Sequence, residues 1–177
     1  QSIIKAVRLA IKDIDSDLIE IVPKDTASKP NKTLKSAFEL KEMGVKINFI
    51  SDGDVSGVIS VAYPDKKIDI YIGIGGAPEG VLAAAALKCL DCQMQTRLHF
   101  LKNDEKTRAE KLGITDLNKK YNVEDMVKGD VIFCATGVTD GDFVKGIIDL
   151  GNNYYSETLT LHSNSKTNTI FKNQNKK

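Results

Sequence analysis

Apolar residues return along this chain at two spacings, one helical and one alternating, and the switches between them mark out the elements. Ile3, Ile4, Val7, Ala10 and Ile11 recur at helical spacing, which predicts an amphipathic helix over residues 2–12. Residues 18–22 follow as a short strand, and residues 24–32 are polar, hold Pro30 and predict an exposed loop. Ala37, Phe38, Leu40 and Met43 carry a second helix, with Gly44 as its natural stop. Val45, Ile47, Phe49 and Ile50 predict a strand, with Asp52-Gly53-Asp54 at its carboxyl end. A helix over 55–61 ends before Pro64, and a strand over 68–74 passes through a glycine-rich loop into a helix over 79–90. Residues 103–112 form a charged surface helix, and 131–135 a buried strand that leads through 136–142 into another short helix. Residues 154–161 and 168–171 predict a hairpin around Ser163-Asn164-Ser165-Lys166.

Strands alternating with helices predict an α/β fold, an α/β/α layered domain with a largely parallel or mixed sheet. The terminal hairpin adds antiparallel strands at one edge. We expect one domain over residues 1–171 and a frayed polar tail over 172–177. Sheets of this kind collect ligands at the carboxyl ends of their strands. Three polar or glycine-rich segments arrive there: Asp52-Gly53-Asp54, residues 73–80 and residues 136–142.

Composition narrows the functions without choosing one. Twenty-five basic and 24 acidic side chains leave a net charge of +1, with no basic stripe interleaved with aromatics, which argues against nucleic acid. The longest unbroken apolar run, Val81 to Leu87, is too short to span a membrane. The amphipathic start is unlike a signal peptide, and a first residue of Gln1 is expected of a chain that has been cut or processed. Three cysteines suit a reducing compartment. Cys89 and Cys92 form one C-x-x-C, without a fourth ligand at zinc spacing, and at the wrong end of a helix for a redox dithiol.

The loop Gly73-Ile74-Gly75-Gly76-Ala77-Pro78-Glu79-Gly80 separates a β-branched strand from an alanine-rich helix. Glycines admit close approach of backbone to ligand, and a helix start offers free N–H groups to an anion. The spacing is not the dinucleotide fingerprint, because Pro78 stands where its third glycine belongs, and the lysine of a nucleotide P-loop is absent. A tight structural turn explains the glycines equally well. Glu79 either complements the dipole of the helix it opens or binds a hard cation such as Mg²⁺ or Mn²⁺. Asp52 and Asp54 can pair on one side of an extended segment as acceptors for hydroxyls, or cap the helix beyond. Asp140 and Asp142 repeat that spacing, and there capping is the favoured role. Lys24, Lys29 and Lys32 can neutralise a phosphate or form an ordinary solvated loop face.

Residues 71–88, continuing to Met94-Gln95 and Arg97-Leu98, resemble the class II fructose-1,6-bisphosphatases, including the bifunctional fructose/sedoheptulose-bisphosphatases. So do residues 51–55 and 135–142 and Glu157-Thr158-Leu159, in the family's order, over its carboxy-terminal half. The resemblance implies a cytoplasmic, homo-oligomeric phosphatase of gluconeogenesis that uses Mg²⁺ or Mn²⁺ to remove the 1-phosphate of fructose 1,6-bisphosphate. It carries a metal-ligand role to Glu79 and substrate contacts to Asp52, Gly53, Asp54 and Gly76. The family's Lys-Pro-Arg substrate segment corresponds to Lys29-Pro30-Asn31, with Lys32 adjacent to the lost arginine. The Asp-Pro-x-Asp-Gly metal motif of the family's amino-terminal half does not occur, so no catalytic residue is assigned and the isolated chain is expected to be inactive. The rival readings are a non-catalytic sugar-phosphate-binding or regulatory module and, less well supported, a dinucleotide-dependent oxidoreductase.

Overall fold

A computed structural model describes Lys35, residues 38–50 and residues 52–177. The helix expected over 2–12, the strand over 18–22 and the loop bearing Lys29, Pro30, Asn31 and Lys32 lie outside the described residues. The chain divides into two compact units, Gln1–Phe49 and Ile50–Lys177.

In the first unit a helical segment runs through Glu42, with Lys35 and Glu39 4.0 Å apart across one turn. Gly44 ends it, as expected, with φ 88°, and Val45 N–H returns to the carbonyl of Leu40 at 3.0 Å. The strand expected at 45–50 does not form, because these residues find no ladder partner among the described residues.

The second unit is built around the helix α2. Its elements are α1 (Asp54–Ser60), a 3₁₀ turn (Pro64–Lys66), α2 (Ala77–Cys89), β1 (Gln95–Arg97), α3 (Asn103–Lys111), β2 (Lys120–Asn122) and α4 (Val123–Met126), followed by β3 (Ile132–Thr136), β4 (Ile148–Asp149), β5 (Asn153–His162) and β6 (Thr167–Lys176). The α/β class holds. The strand pairings among the described residues are all antiparallel, however, where alternation had pointed to parallel ones. The reason lies in the strand expected at 68–74. It is unpaired, with Ile70, Ile72 and Ile74 exposed, so it contributes no parallel ladder.

The expected hairpin does form, and it is longer than the apolar pattern. β5 and β6 pair without interruption from Asn153↔Lys176 to His162↔Thr167, so residues 172–176 belong to a strand rather than to a tail. β3 lies on the other side of β5 and β4 beside its first residues. Alternation turns Glu157, Leu159 and Leu161 of β5 inward, and all three are buried.

α2 joins two apolar clusters. Ala86 and Cys89 pack with Ile59, Phe133, Leu159 and Leu161, whereas Ala83 and Leu87 pack with Val58 and Val123. Ala83, Ala84 and Ala86 are buried as the alanine run predicts, because side chains this small let neighbouring elements approach. At the far end of α2, Lys88 Nζ closes the packing on α4 with bonds of 2.9 Å to Glu124 and to the Val127 carbonyl. Asn122 and Asp125 form a reciprocal capping box that starts α4, with bonds of 3.1 and 2.9 Å.

The hairpin turn is pinned by Asp130. Its carboxylate accepts from Ser163 Oγ, from the N–H groups of Asn164 and Val131, and lies 2.8 Å from His162 Nε2. These donors, Ser163 first and His162 next, hold the Asp130 carboxyl down at about 2.

Two outcomes are expected. Leu87 is 0% exposed, so Leu87→Ala should lose about 2–5 kcal/mol in urea unfolding; a loss under ~1 kcal/mol would show that α2 is not central. Asp130 has a depressed native pKa, so its stabilisation is present above the ordinary carboxylate range and lost as pH falls toward about 2. The gap in thermal midpoint between wild type and Asp130→Asn should therefore be full at pH 6 and shrink toward zero near pH 2; a gap independent of pH would refute the clamp.

Candidate functional site

The site grows from the glycine-rich loop that enters α2. Pro78 sits in the first turn, where its missing donor costs nothing, and Gly76 is the N-cap with an extended backbone (φ −67°, ψ 154°). Side chains lie close against three of the glycines. A Cβ on Gly73 would come within 2.5 Å of the Tyr71 hydroxyl, and one on Gly75 within 2.5 Å of Asp54 Oδ2. A Cβ on Gly76 would collide with Glu79 Oε2. Two carboxylates thus rest against adjacent glycines of one loop.

Asp54 reaches that position because Gly53, at φ 76°, turns the chain into α1. No side chain caps α1, so the capping alternative for this aspartate pair is not used. Tyr71 donates to Asp54 Oδ1 over 3.4 Å, and burial, then the neighbouring Asp54 charge, raises the phenol above its ordinary value. Glu79 stands exposed at the first turn of α2, with no hydrogen bond or ion pair among the described residues.

Asp54, Gly76 and Glu79 line one cavity of about 490 Å³, a volume suited to a small ligand. Asp52 and Gly53 do not line it, since the left-handed turn at Gly53 breaks the alternation that would have set Asp52 beside Asp54. Arg97 and His99, from and just beyond β1, also line it, as do Val58, Met94 and Met126. The residue patterns had not singled out Tyr71, Arg97 or His99. Tyr71 carried one legible signal, as a polar-tipped ring between Ile70 and Ile72 just before the glycine-rich loop.

Residues 136–142 lead into no helix, which corrects the capping role expected of Asp140 and Asp142. The segment folds back on itself: Asp140 accepts from Gly146 N–H at 2.9 Å, and Lys145 N–H bonds the buried Glu157 at 2.8 Å. That N–H, with the Tyr155 hydroxyl, holds the Glu157 carboxyl below its ordinary range. Gly137 permits the fold, since a Cβ there would strike the Lys145 carbonyl. Asp142 instead accepts from Ser56 Oγ at 3.1 Å, tying the segment to α1.

A second cavity, of about 670 Å³, lies at the other end of α2. It is larger, but its charged groups are engaged: Lys88 pairs with Glu124, Lys166 with Asp91, and Asp130 is bonded by Ser163 and His162. It offers a ligand little unmet charge. Cys92 lines it and Cys89 is buried beside it; both are free thiols raised by burial, unlike a reactive dithiol.

Among the described residues no three or more His, Cys, Asp or Glu side chains cluster as a metal centre. Glu79 nevertheless fits a hard divalent cation as a single ligand, because it is an exposed, unengaged carboxylate at the cavity mouth.

The family model described as "Bacterial fructose-1,6-bisphosphatase, glpX-encoded" matches residues 30–175, and the chain belongs to that family. It is 38% identical over 142 residues to the D-fructose 1,6-bisphosphatase class 2/sedoheptulose 1,7-bisphosphatase of Synechococcus sp. (strain JA-2-3B'a(2-13)), covering 73% of this chain and 41% of that protein. It is 40% identical over 143 residues to the fructose-1,6-bisphosphatase 1 class 2 of Escherichia coli K12, covering 73% of this chain and 42% of that protein. The chain therefore spans about two fifths of the curated relatives it matches.

The two kinds of glycine contact should separate in experiment. Gly76 has an alanine-compatible backbone and would displace only the tip of Glu79, so Gly76→Ala should leave urea stability unchanged or raise it by up to ~1 kcal/mol. Gly137→Ala meets a backbone carbonyl and should destabilise clearly. Equal losses at both positions would contradict this reading of the loop.

Proposed function

We propose that this chain supplies the substrate-binding half and one metal ligand of a divalent-metal-dependent hydrolase. The reaction is release of the 1-phosphate of fructose 1,6-bisphosphate, with sedoheptulose 1,7-bisphosphate as a second substrate, as the name of the Synechococcus relative suggests. The observation that carries the reading is the pair of carboxylates, Asp54 and Glu79, held on adjacent glycines at the mouth of one cavity. The setting is a cytoplasmic homo-oligomer in sugar-phosphate metabolism, completed by the portion that the relatives carry beyond the matched region.

In this mechanism Glu79 holds Mg²⁺ or Mn²⁺, which when bound polarises the phosphoryl group and activates water. Asp54 accepts sugar hydroxyls, oriented by the hydrogen bond that Tyr71 donates to it. Gly76 lets the substrate approach the backbone, and Asp52 and Gly53 complete the hydroxyl contacts. Lys29, Pro30, Asn31 and Lys32 bring charge and polar groups to the phosphate. One carboxylate cannot hold a catalytic metal cluster, so the remaining ligands come from the rest of the enzyme.

The test is phosphate release by the complete enzyme under metal titration. Glu79→Gln should lower kcat by about a hundredfold or more, with partial rescue by excess Mn²⁺, the scale expected when a key electrostatic group is lost. Asp54→Ala should raise KM more than it lowers kcat and gain nothing from metal, the mark of uniform binding. Metal rescue of Asp54→Ala, with only a KM defect in Glu79→Gln, would reverse the two roles. Turnover by the 177-residue chain alone, abolished in Glu79→Ala, would overturn its standing as a half.

A further inference from the structure

β6 lies at the rim of the larger sheet, paired with β5 along its whole length on one side only. No strand among the described residues bonds its outer side, and every residue of it but Thr167 is exposed. In an antiparallel ladder every second residue points its N–H and C=O groups away from the partner, so this rim offers a row of unused donors and acceptors. The bland reading is an edge kept in water by its charges. Natural edges are blunted in that way, or by proline, by bulges and by short length. β6 has none of the last three: it is 10 residues long, holds no proline or glycine, and keeps register without a bulge. Its charges are gathered toward one end. Residues 167–171 carry none, Lys172 lies 3.5 Å from Glu157 of β5, and Lys176 is the last residue of the strand.

The middle of the strand is apolar. Ile170 is 41% exposed, although Leu159, its partner on the same face, is only 3% exposed. Phe171, on the opposite face, is 49% exposed. The core covers β5 and leaves both β6 side chains in water. An apolar centre between polar ends suits a surface that meets its own copy. Charge then restricts the register. Two copies joined edge to edge about a two-fold axis run antiparallel with like faces adjoining, so the axis falls at a residue and not between two. At Lys172 it would oppose two lysines, at Phe171 it would set Lys172 against Ile170, and at Thr169 it would set Lys172 against Lys166. At Ile170 it sets Ile170 against its copy, Phe171 against Thr169 and Lys172 against Asn168. That register pairs residues 167–173 and opposes no like charges.

We propose that β6 pairs antiparallel with β6 of a second copy of this chain, about a two-fold axis at Ile170. The inference rests on the homo-oligomer in the reading above and deepens it by naming the surface.

The test is the mass of the full 177-residue chain by light scattering at about 100 µM, a concentration suited to a small interface. Wild type should be a dimer of twice 19.4 kDa. Ile170→Lys and Ile170→Glu should each raise the dimer dissociation constant by about tenfold or more, because like charges then meet at the axis. Mixing the two variants should restore a dimer that holds one of each, which a merely destabilised strand would not do. Ile132→Lys, at a more exposed apolar position on β3, should match wild type. If a charged variant fails to fold, Ile170→Cys takes its place. Cα atoms opposed in such a ladder lie about 4.5–5.5 Å apart, within disulfide reach, so diamide should link its copies and leave wild type unlinked. A monomeric wild type overturns both this inference and the homo-oligomer. This surface alone is overturned by a dimer that Ile170→Lys leaves intact, that Ile132→Lys disrupts as much, that the mixture does not restore, or that diamide does not link through Ile170→Cys. None of these readouts involves phosphate release, so the hydrolase reading stands or falls apart from them.

Discussion

Everything in the second unit depends on how closely other elements can approach α2. The helix is buried on two faces, and alanine makes that possible: Ala83 and Ala86 each sit in a different cluster, with Ala84 at 0% exposure between them. Larger side chains here would force the sheet and α1 apart, and a packed interior absorbs added volume poorly. Leu87 supplies what alanine cannot, a full side chain worth roughly 1.5–3 kcal/mol of burial. The cost of such a smooth helix is that its position is weakly keyed by shape. The polar bonds of Lys88 at its end supply the missing register.

That register reaches the cavity, because Glu79 lies in the first turn of the same helix. The loop before it then works by omission. Gly75 and Gly76 leave room that Asp54 and Glu79 fill with their own oxygens, and neither carboxylate has an ion-pair partner among the described residues.

Much of this was legible in the residues. The alanine run, the proline in the first turn and the glycine-rich approach to it were enough to place α2 and its exposed glutamate. The hairpin announced itself through alternation around a polar turn. The family resemblance found the matched stretch and the incomplete coverage. What could not be read was anything set by partners distant in sequence. Residues 45–50 and 68–74 have strand-like patterns, yet a strand is defined by its neighbour, and neither has one among the described residues. β1, β2 and β4 are two or three residues long and carry too few positions to show a period. The aspartates at 52 and 54 looked equivalent because alternation was assumed, and one left-handed glycine between them separates their surroundings. Arg97 was visible only as part of a matched segment, since whether it lines the cavity depends on where β1 is carried by its pairing with β2.

The connectivity of the larger sheet has a consequence for biosynthesis. β5 is the hub of that sheet, bonded along one side to β6 and along the other to β3 and β4. β6 is its immediate successor across a four-residue turn, but β3 precedes it by a long excursion and finds its first partner only at Thr158 and its last at His162. A ribosome therefore delivers β3 well before anything exists for it to pair with. Until His162 has been added, Phe133 and its neighbours have no β5 to cover them. The cluster around Val58, Ala83, Leu87 and Val123 has all its members by the end of α4, whereas the one that joins α2 to the larger sheet waits for Leu159 and Leu161 of β5.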